Sequence, residues 1–238
     1  MMLQSDQGYY FGLGVFETIR VKEKKGLLLG QHLQRLNKGL DTLGIKTVMT
    51  DEQVEAYLDQ QGVDVGVLKI AVSEKNIDFS TRISPYTSQH YQTGYQLMVS
   101  SILRNETSPL TYLKSLNFGD NILAKQHAQQ HHYDDALFLN TKGCVTETTS
   151  SNIFFVNGDV IHTPSVKSGL LPGVMREVIC QHEHVIEKEI TMGEVSCYDA
   201  CFLTNSIMGI MKVTAIGDVK FNKDDHVIRL QKTYQAFY

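Results

Sequence analysis

The chain has no tryptophan, four prolines, four cysteines and no long apolar run. Each scarcity excludes something. Without a stretch of roughly 20 apolar residues there is no candidate membrane-spanning helix. Cys144, Cys180, Cys197 and Cys201 are scattered. The one close pair, Cys197 and Cys201, fits neither a zinc knuckle nor a redox Cys-x-x-Cys, so buried or half-buried thiols in a reducing compartment are expected. Positive charge is not in excess: 22 Lys+Arg against 26 Asp+Glu give a formal net charge of −4, which offers no basic field to nucleic acid or to an anionic membrane surface. Residues 1–8 are polar and lack the basic start and apolar core of a secretion signal, so a cytoplasmic location is expected. There is also no Gly-rich phosphate loop and no Gly-x-Ser-x-Gly elbow.

What remains is ordinary globular material. The 238 residues, 42% hydrophobic and 20% charged, suffice for one large domain or two smaller ones. Alternation over Gly12–Val21 predicts a strand, followed by a turn at 23–26 and a second strand over Leu27–Leu29. Leu33, Leu36, Leu40 and Leu43 recur at helical spacing, predicting a helix over Gln31–Leu43. A second helix is expected over Asp51–Gln61, capped by Thr50 or Asp51. Strands are expected over Val67–Ser73, Ile77–Ile83 and Tyr95–Leu103. Arg104–Pro109, RNETSP, reads as a linker dividing a domain over 1–104 from one over 110–238. Beyond it a helix over Asp120–His132, with Ile122, Leu123 and Ala128 inward, leads into four short strands between Ala136 and His162. A helix opening at Leu171-Pro172-Gly173-Val174, strands over Ala200–Thr204 and Met211–Ile216, and a closing helix over Asp224–Tyr238 complete an α+β pattern.

Two residues stand out chemically. Lys114 lies in Leu-Lys-Ser-Leu-Asn, and Glu147 opens the polar run Glu-Thr-Thr-Ser-Ser-Asn between apolar segments. One amine and one carboxylate, each framed by apolar residues, are what a pyridoxal ring requires: an imine to its aldehyde and an acid to keep its nitrogen protonated. A phosphate would need helix N-termini and positive charge. Arg35, the Pro172-to-Met175 turn and Thr204-Asn205-Ser206 are candidates. Taken singly, each has a plainer reading. Lys114 could snorkel from an amphipathic edge, Arg35 could be a solvated helix residue, and Glu147 could face water. His127 and His131, four apart on one helix, have a zinc-compatible spacing but no acidic neighbour to complete a protease motif, and a solvated helix face is the simpler reading.

Six ordered segments shift the balance. FGLGVFETIRV, QHLQRL, LKSLNF with NILAKQHA, DDALFLNTKGCVTETTSSNIFFV, TPSVKSGLLPGVMREVI and CFLTNSIMGIMKV together resemble the fold-type IV pyridoxal-phosphate enzymes. These comprise branched-chain and D-amino-acid aminotransferases and aminodeoxychorismate lyases. The resemblance implies two α/β domains with the cofactor between them, a homodimer, and the following roles. Lys114 would be the Schiff-base lysine and Glu147 the partner of the pyridine nitrogen. Arg35, the backbone of Val174 and Met175, and Ser206 with Asn205 would bind phosphate. Independently of the resemblance, Arg82 is taken as the residue to meet a substrate carboxylate. The Asn205-Ser206-Ile207-Met208 run looks most like the lyases, implying cleavage of 4-amino-4-deoxychorismate to 4-aminobenzoate and pyruvate, a step toward folate. The alternatives are a D- or branched-chain amino-acid aminotransferase and a non-catalytic scaffold that has lost the cofactor. Leu13, Gln7, Phe118 and Lys212 depart from the family's usual Asp, Arg, Tyr and Pro, which bears on the substrate more than on the cofactor.

Overall fold

The computed structural model describes residues 3–237. They form two compact units, one of residues 3–85, Leu113–Phe118 and Phe237, the other of Tyr86–Tyr112 and Gly119–Ala236. The division therefore falls after Pro85 and not in the expected linker at 104–109, and the segment bearing Lys114 groups with the first unit. The cause is backbone pairing: Leu113–Phe118 is hydrogen-bonded alongside the first long strand, as described below.

The first unit contains α1 (Gln7–Phe11), β1 (Gly14–Lys22), β2 (Lys25–Gly26), α2 (Leu29–Thr42), α3 (Asp51–Gln61), β3 (Gly66–Ser73) and β4 (Ile77–Arg82). Its antiparallel sheet runs β2-β1-β3-β4. Val15, Ile19 and Val21 alternate along β1 and pack with Leu33, Leu36 and Leu40 of α2 in one core cluster. Each fully buried aliphatic there contributes about 1.5–3 kcal/mol. The expected strand at Leu27–Leu29 is cut short. Glu23 and Lys24 both have positive φ (52° and 62°) and make a two-residue hairpin turn, and Leu28, at φ 55°, turns the chain into α2. Helix α3 matches expectation and starts with a capping box from Thr50 and Gln53. Helix α1, unforeseen in the sequence, is set by Asp6. Its buried carboxylate accepts from Tyr9 N (2.9 Å), Ser73 Oγ (2.6 Å), Lys75 N (2.9 Å) and Asn76 Nδ2 (2.9 Å). The Ser73 hydrogen bond leads in holding its pKa down to about 2.

The second unit contains α4 (Ser88–Thr93), β5 (Tyr95–Val99), α5 (Gly119–Gln130), β6 (Asp135–Leu139), β7 (Val145–Thr148), β8 (Asn152–Asn157) and β9 (Val160–Pro164). It continues with α6 (Val174–His182), β10 (Val185–Lys188), β11 (Ala200–Asn205), β12 (Gly209–Ile216), β13 (Val219–Lys220) and α7 (Asp225–Thr233). Its mixed sheet runs β10-β9-β8-β11-β12-β5-β6-β7, and a further pairing of β7 with β8 closes six of these strands into a barrel. Leu97, Leu137, Val145, Ile153, Phe155, Leu203 and Met211 lie in its core. Sequence periodicity misses α4 and β10 and overextends β5 and α7. It also misorients α5. Ile122 and Leu123 are 51% and 59% exposed, while Asn121, Ala124 and Ala128 are buried. The two alanines pack with Ala136 and Phe138, so the inward face is made of small residues that a search for large aliphatics passes over. All four cysteines are free, and Cys197 is exposed rather than half-buried. Among the described residues no helix is long and apolar enough to cross a membrane.

Candidate active site

In the first unit, Leu113–Phe118 is held against β1. Val15 pairs with Ser115 in an antiparallel bridge, Phe16 N donates to Lys114 O (2.8 Å), and Leu116 N donates to Gly14 O (2.9 Å). The approach requires glycine at 14, since a Cβ there would lie 2.6 Å from both Leu116 Cδ1 and Val72 O. Lys114 Nζ comes within 4.5 Å of the Phe16 ring centroid, a cation-π distance. Phe118 meets the same ring edge-on at 5.3 Å, and Lys69 Nζ lies 5.1 Å from its centroid.

Beside the core face of β1, Glu17 is fully buried. Arg35 Nε donates to its Oε1 and Arg35 Nη2 to its Oε2, both at 2.7 Å, and His32 Nδ1 lies 2.7 Å from Oε2. Burial pushes the Glu17 carboxyl up, but the charge of Arg35 and the hydrogen bonds from His32 and Arg35 outweigh it and hold the group ionised well below the usual range. Burial dominates at His32 and lowers its pKa against the pull of Glu17. The consistent state is a neutral imidazole donating from Nδ1 to a charged carboxylate. Its Nε2, an acceptor in that tautomer, is buried without a hydrogen-bond partner. Arg35 therefore presents a guanidinium whose charge is already met by Glu17. It offers directed N–H groups rather than net charge.

In the second unit, Glu147 is buried on β7 opposite Asn152 of β8. This ladder pair holds one residue by both of its backbone polar groups: Leu171 N donates to Glu147 Oε2 (3.1 Å), and Asn152 Nδ2 donates to Leu171 O (2.8 Å). Two residues on, Gly173 is the N-cap of α6, which has no side-chain cap. A Cβ at Gly173 would lie 2.0 Å from Asn152 Oδ1, so any larger residue there would have to displace the Asn152 side chain. The first N–H groups of α6, those of Val174 and Met175, thus open an uncapped helix start suited to an anion, in fixed register with Glu147. The other carboxylate oxygen of Glu147, Oε1, lies 3.3 Å from Arg104 Nη2.

The structure thus brings Glu147, Val174 and Met175 into one framework and, separately, Lys114 and Arg35 onto elements of the first unit. Asn205 is occupied with turn building. Its Oδ1 accepts from Ile207 N (3.0 Å) and Met208 N (2.7 Å), and its Nδ2 donates to Ser151 Oγ (3.0 Å). Ser206 follows it in the β11–β12 turn, half-buried. Arg82 ends β4, exposed, with Nη1 donating to Ile83 O at 3.3 Å. His127 and His131 are exposed at the end of α5, and His131 Nδ1 lies 2.9 Å from His127 O. Among the described residues no group of three or more His, Cys, Asp or Glu is placed to hold a metal ion.

Sequence reasoning passed over Glu17, His32, Arg104 and Asn152. Glu17 carried a readable signal, a charged residue on the inward phase of an otherwise apolar strand. His32 and Arg35, three apart, share a helix face. Arg104 carried none, because it lies in the segment taken for a linker.

A model of the amino-transferase class IV family matches residues 14–216. The chain belongs to that family, whose members depend on pyridoxal 5′-phosphate, and it has the mixed fold-type IV architecture. The aminodeoxychorismate lyase of Bacillus subtilis is 28% identical over 240 residues, 91% of this chain and 82% of that protein. The D-alanine aminotransferase of Bacillus licheniformis is 29% identical over 232 residues, 89% and 81% respectively. A crystal structure of a putative 4-amino-4-deoxychorismate lyase from Legionella pneumophila superposes with a TM-score of 0.90 at 28% identity, covering 100% of this chain and 96% of that one. Within the second unit an acid and an uncapped helix start are held in register, and within the first a lysine is held beside an aromatic ring; these are the kinds of group that a pyridine nitrogen, a phosphate and an aldehyde would take.

Proposed function

We propose that this enzyme cleaves 4-amino-4-deoxychorismate to 4-aminobenzoate and pyruvate. The observation that carries the reading is near-full-length likeness to lyases of that substrate, one by sequence and one by structure. The Asn205-Ser206-Ile207-Met208 turn supports it.

Bound pyridoxal phosphate supplies an electron sink for the carbon that carries the substrate amine. In this reading Lys114 would hold the cofactor's aldehyde when no substrate is bound. The freed amine then removes the proton from that carbon as general base and returns a proton to the departing enolpyruvyl fragment. Glu147 keeps the ring nitrogen protonated. The N–H groups of Val174 and Met175, with Arg35, Ser206 and Asn205, bind the phosphate, and Arg82 takes a substrate carboxylate. The homodimer and the cytoplasmic location belong to the same reading.

The D-alanine aminotransferase relative keeps transamination as the competing activity. With enzymatically generated aminodeoxychorismate, the lyase reading expects pyruvate and an aromatic amine in equal amounts, and none with Lys114→Ala. Glutamate formation from an amino donor and 2-oxoglutarate, faster than pyruvate release, would replace the lyase with an aminotransferase. A protein that stays colourless with added pyridoxal phosphate would leave neither.

A further inference from the structure

We propose that Arg104 is a positioning residue for the cofactor's pyridine end, acting through Glu147. The inference rests on the role given to Glu147 above. Arg104 is anchored at both ends. Its backbone N donates to Leu139 O (2.8 Å) and its residue bridges to Asn140 beside the end of β6. Its guanidinium carbon lies 3.9 Å from the centroid of the buried Phe138 ring, a stacking distance that restricts rotation. Nη1 donates to Asn121 Oδ1 (3.2 Å), and Asn121 Nδ2 in turn donates to Thr149 O (2.7 Å). Thr149 Oγ1 donates to the buried Asp135 Oδ1 (2.5 Å). The side chain is 13% exposed and Nε is buried without a hydrogen-bond partner.

A guanidinium placed for stability alone would be expected to meet its carboxylate with two parallel N–H donors. Arg104 instead meets Glu147 through Nη2 at 3.3 Å, gives Nη1 to a neutral amide, and leaves Nε unsatisfied, which is costly for a buried charge. What the arrangement secures is orientation. One oxygen of Glu147 faces the fixed cation and the other accepts from Leu171 N, so the carboxylate plane is defined from two sides.

A double-mutant cycle on pyridoxal phosphate affinity and on the absorption maximum of the bound cofactor tests this. Arg104→Met should weaken binding about tenfold and shift the band in the wild-type background, but change affinity less than about twofold with Glu147→Gln in place, the coupling expected of contacting residues. Equal effects of Arg104→Met in both backgrounds would mean a merely structural role and overturn the proposal. Should Arg104→Met fail to fold by circular dichroism, Arg104→Lys, which keeps the charge and loses the fork, carries the same cycle. If Glu147→Gln alone leaves affinity and spectrum unchanged, the assignment of Glu147 itself fails and this inference with it. That failure is recognised from the single variant.

Discussion

The two units each bury a carboxylate, and they settle it differently. Glu17 is met by the side chains of His32 and Arg35, which lie 15 and 18 residues away on the next helix. Glu147 takes a backbone N–H from 24 residues away and faces a guanidinium nitrogen. The first arrangement closes around its charge and leaves a cation with little net field. The second divides the acid between a cation and the backbone, and so ties it to the start of a helix. Compact ion pairing serves to fix a strand against a helix. A carboxylate shared with a backbone segment serves to keep a strand in register with the start of a helix.

The contrast can be broken most forcefully at Glu17. Glu17→Ala should cost about 3–5 kcal/mol, because it takes the carboxylate away from the half-buried Arg35 guanidinium and from the buried His32 N–H. Glu147→Gln should cost clearly less stability in the same urea titration, since the amide oxygen still accepts from Leu171 N. Comparable losses at both positions would erase the distinction.

The register claim is sharper in one respect, because it names a suppressor. Gly173→Ala should weaken phosphate-dependent binding of pyridoxal phosphate by about tenfold, within the range for coupled neighbours, as its Cβ displaces Asn152. Adding Asn152→Ala removes the colliding Oδ1 and should return part of that loss. Additive losses would contradict the clamp.

The smallest effect is expected at Asp6. Its carboxyl is held down to about 2 in the folded chain, against about 3.9 when unfolded, so its contribution is complete above the unfolded value and is lost as pH falls through the folded one. Asp6→Asn should therefore flatten the decline of the melting temperature between about pH 4 and pH 2. An unchanged acid slope would show that the network does not bear on folding.

How far the sequence revealed this follows from the range of each interaction. Helix α3 was legible because Thr50, Gln53, Val54 and Leu58 signal it within a few residues. The Leu33, Leu36 and Leu40 face of α2 was legible for the same reason. Lys114 and Glu147 stood out only as part of six ordered segments. The inward face of α5 was not legible, because Asn121 and Ala124 are buried to suit Phe138 and Arg104 rather than any local period. The surroundings of Arg104 were equally illegible: RNETSP is loop by composition, yet Arg104 within it is fixed by Phe138, Asn121 and Glu147, partners that local pattern does not announce.

The account depends most on Lys114 as the residue that holds the cofactor. Lys69 gives a built-in control, since its Nζ is 5.1 Å from the Phe16 ring centroid and that of Lys114 is 4.5 Å. Borohydride reduction of the protein loaded with pyridoxal phosphate, followed by peptide mapping, should place the pyridoxyl group on the peptide containing Lys114. A reduced, labelled protein with the group on Lys69 or any other lysine would contradict it.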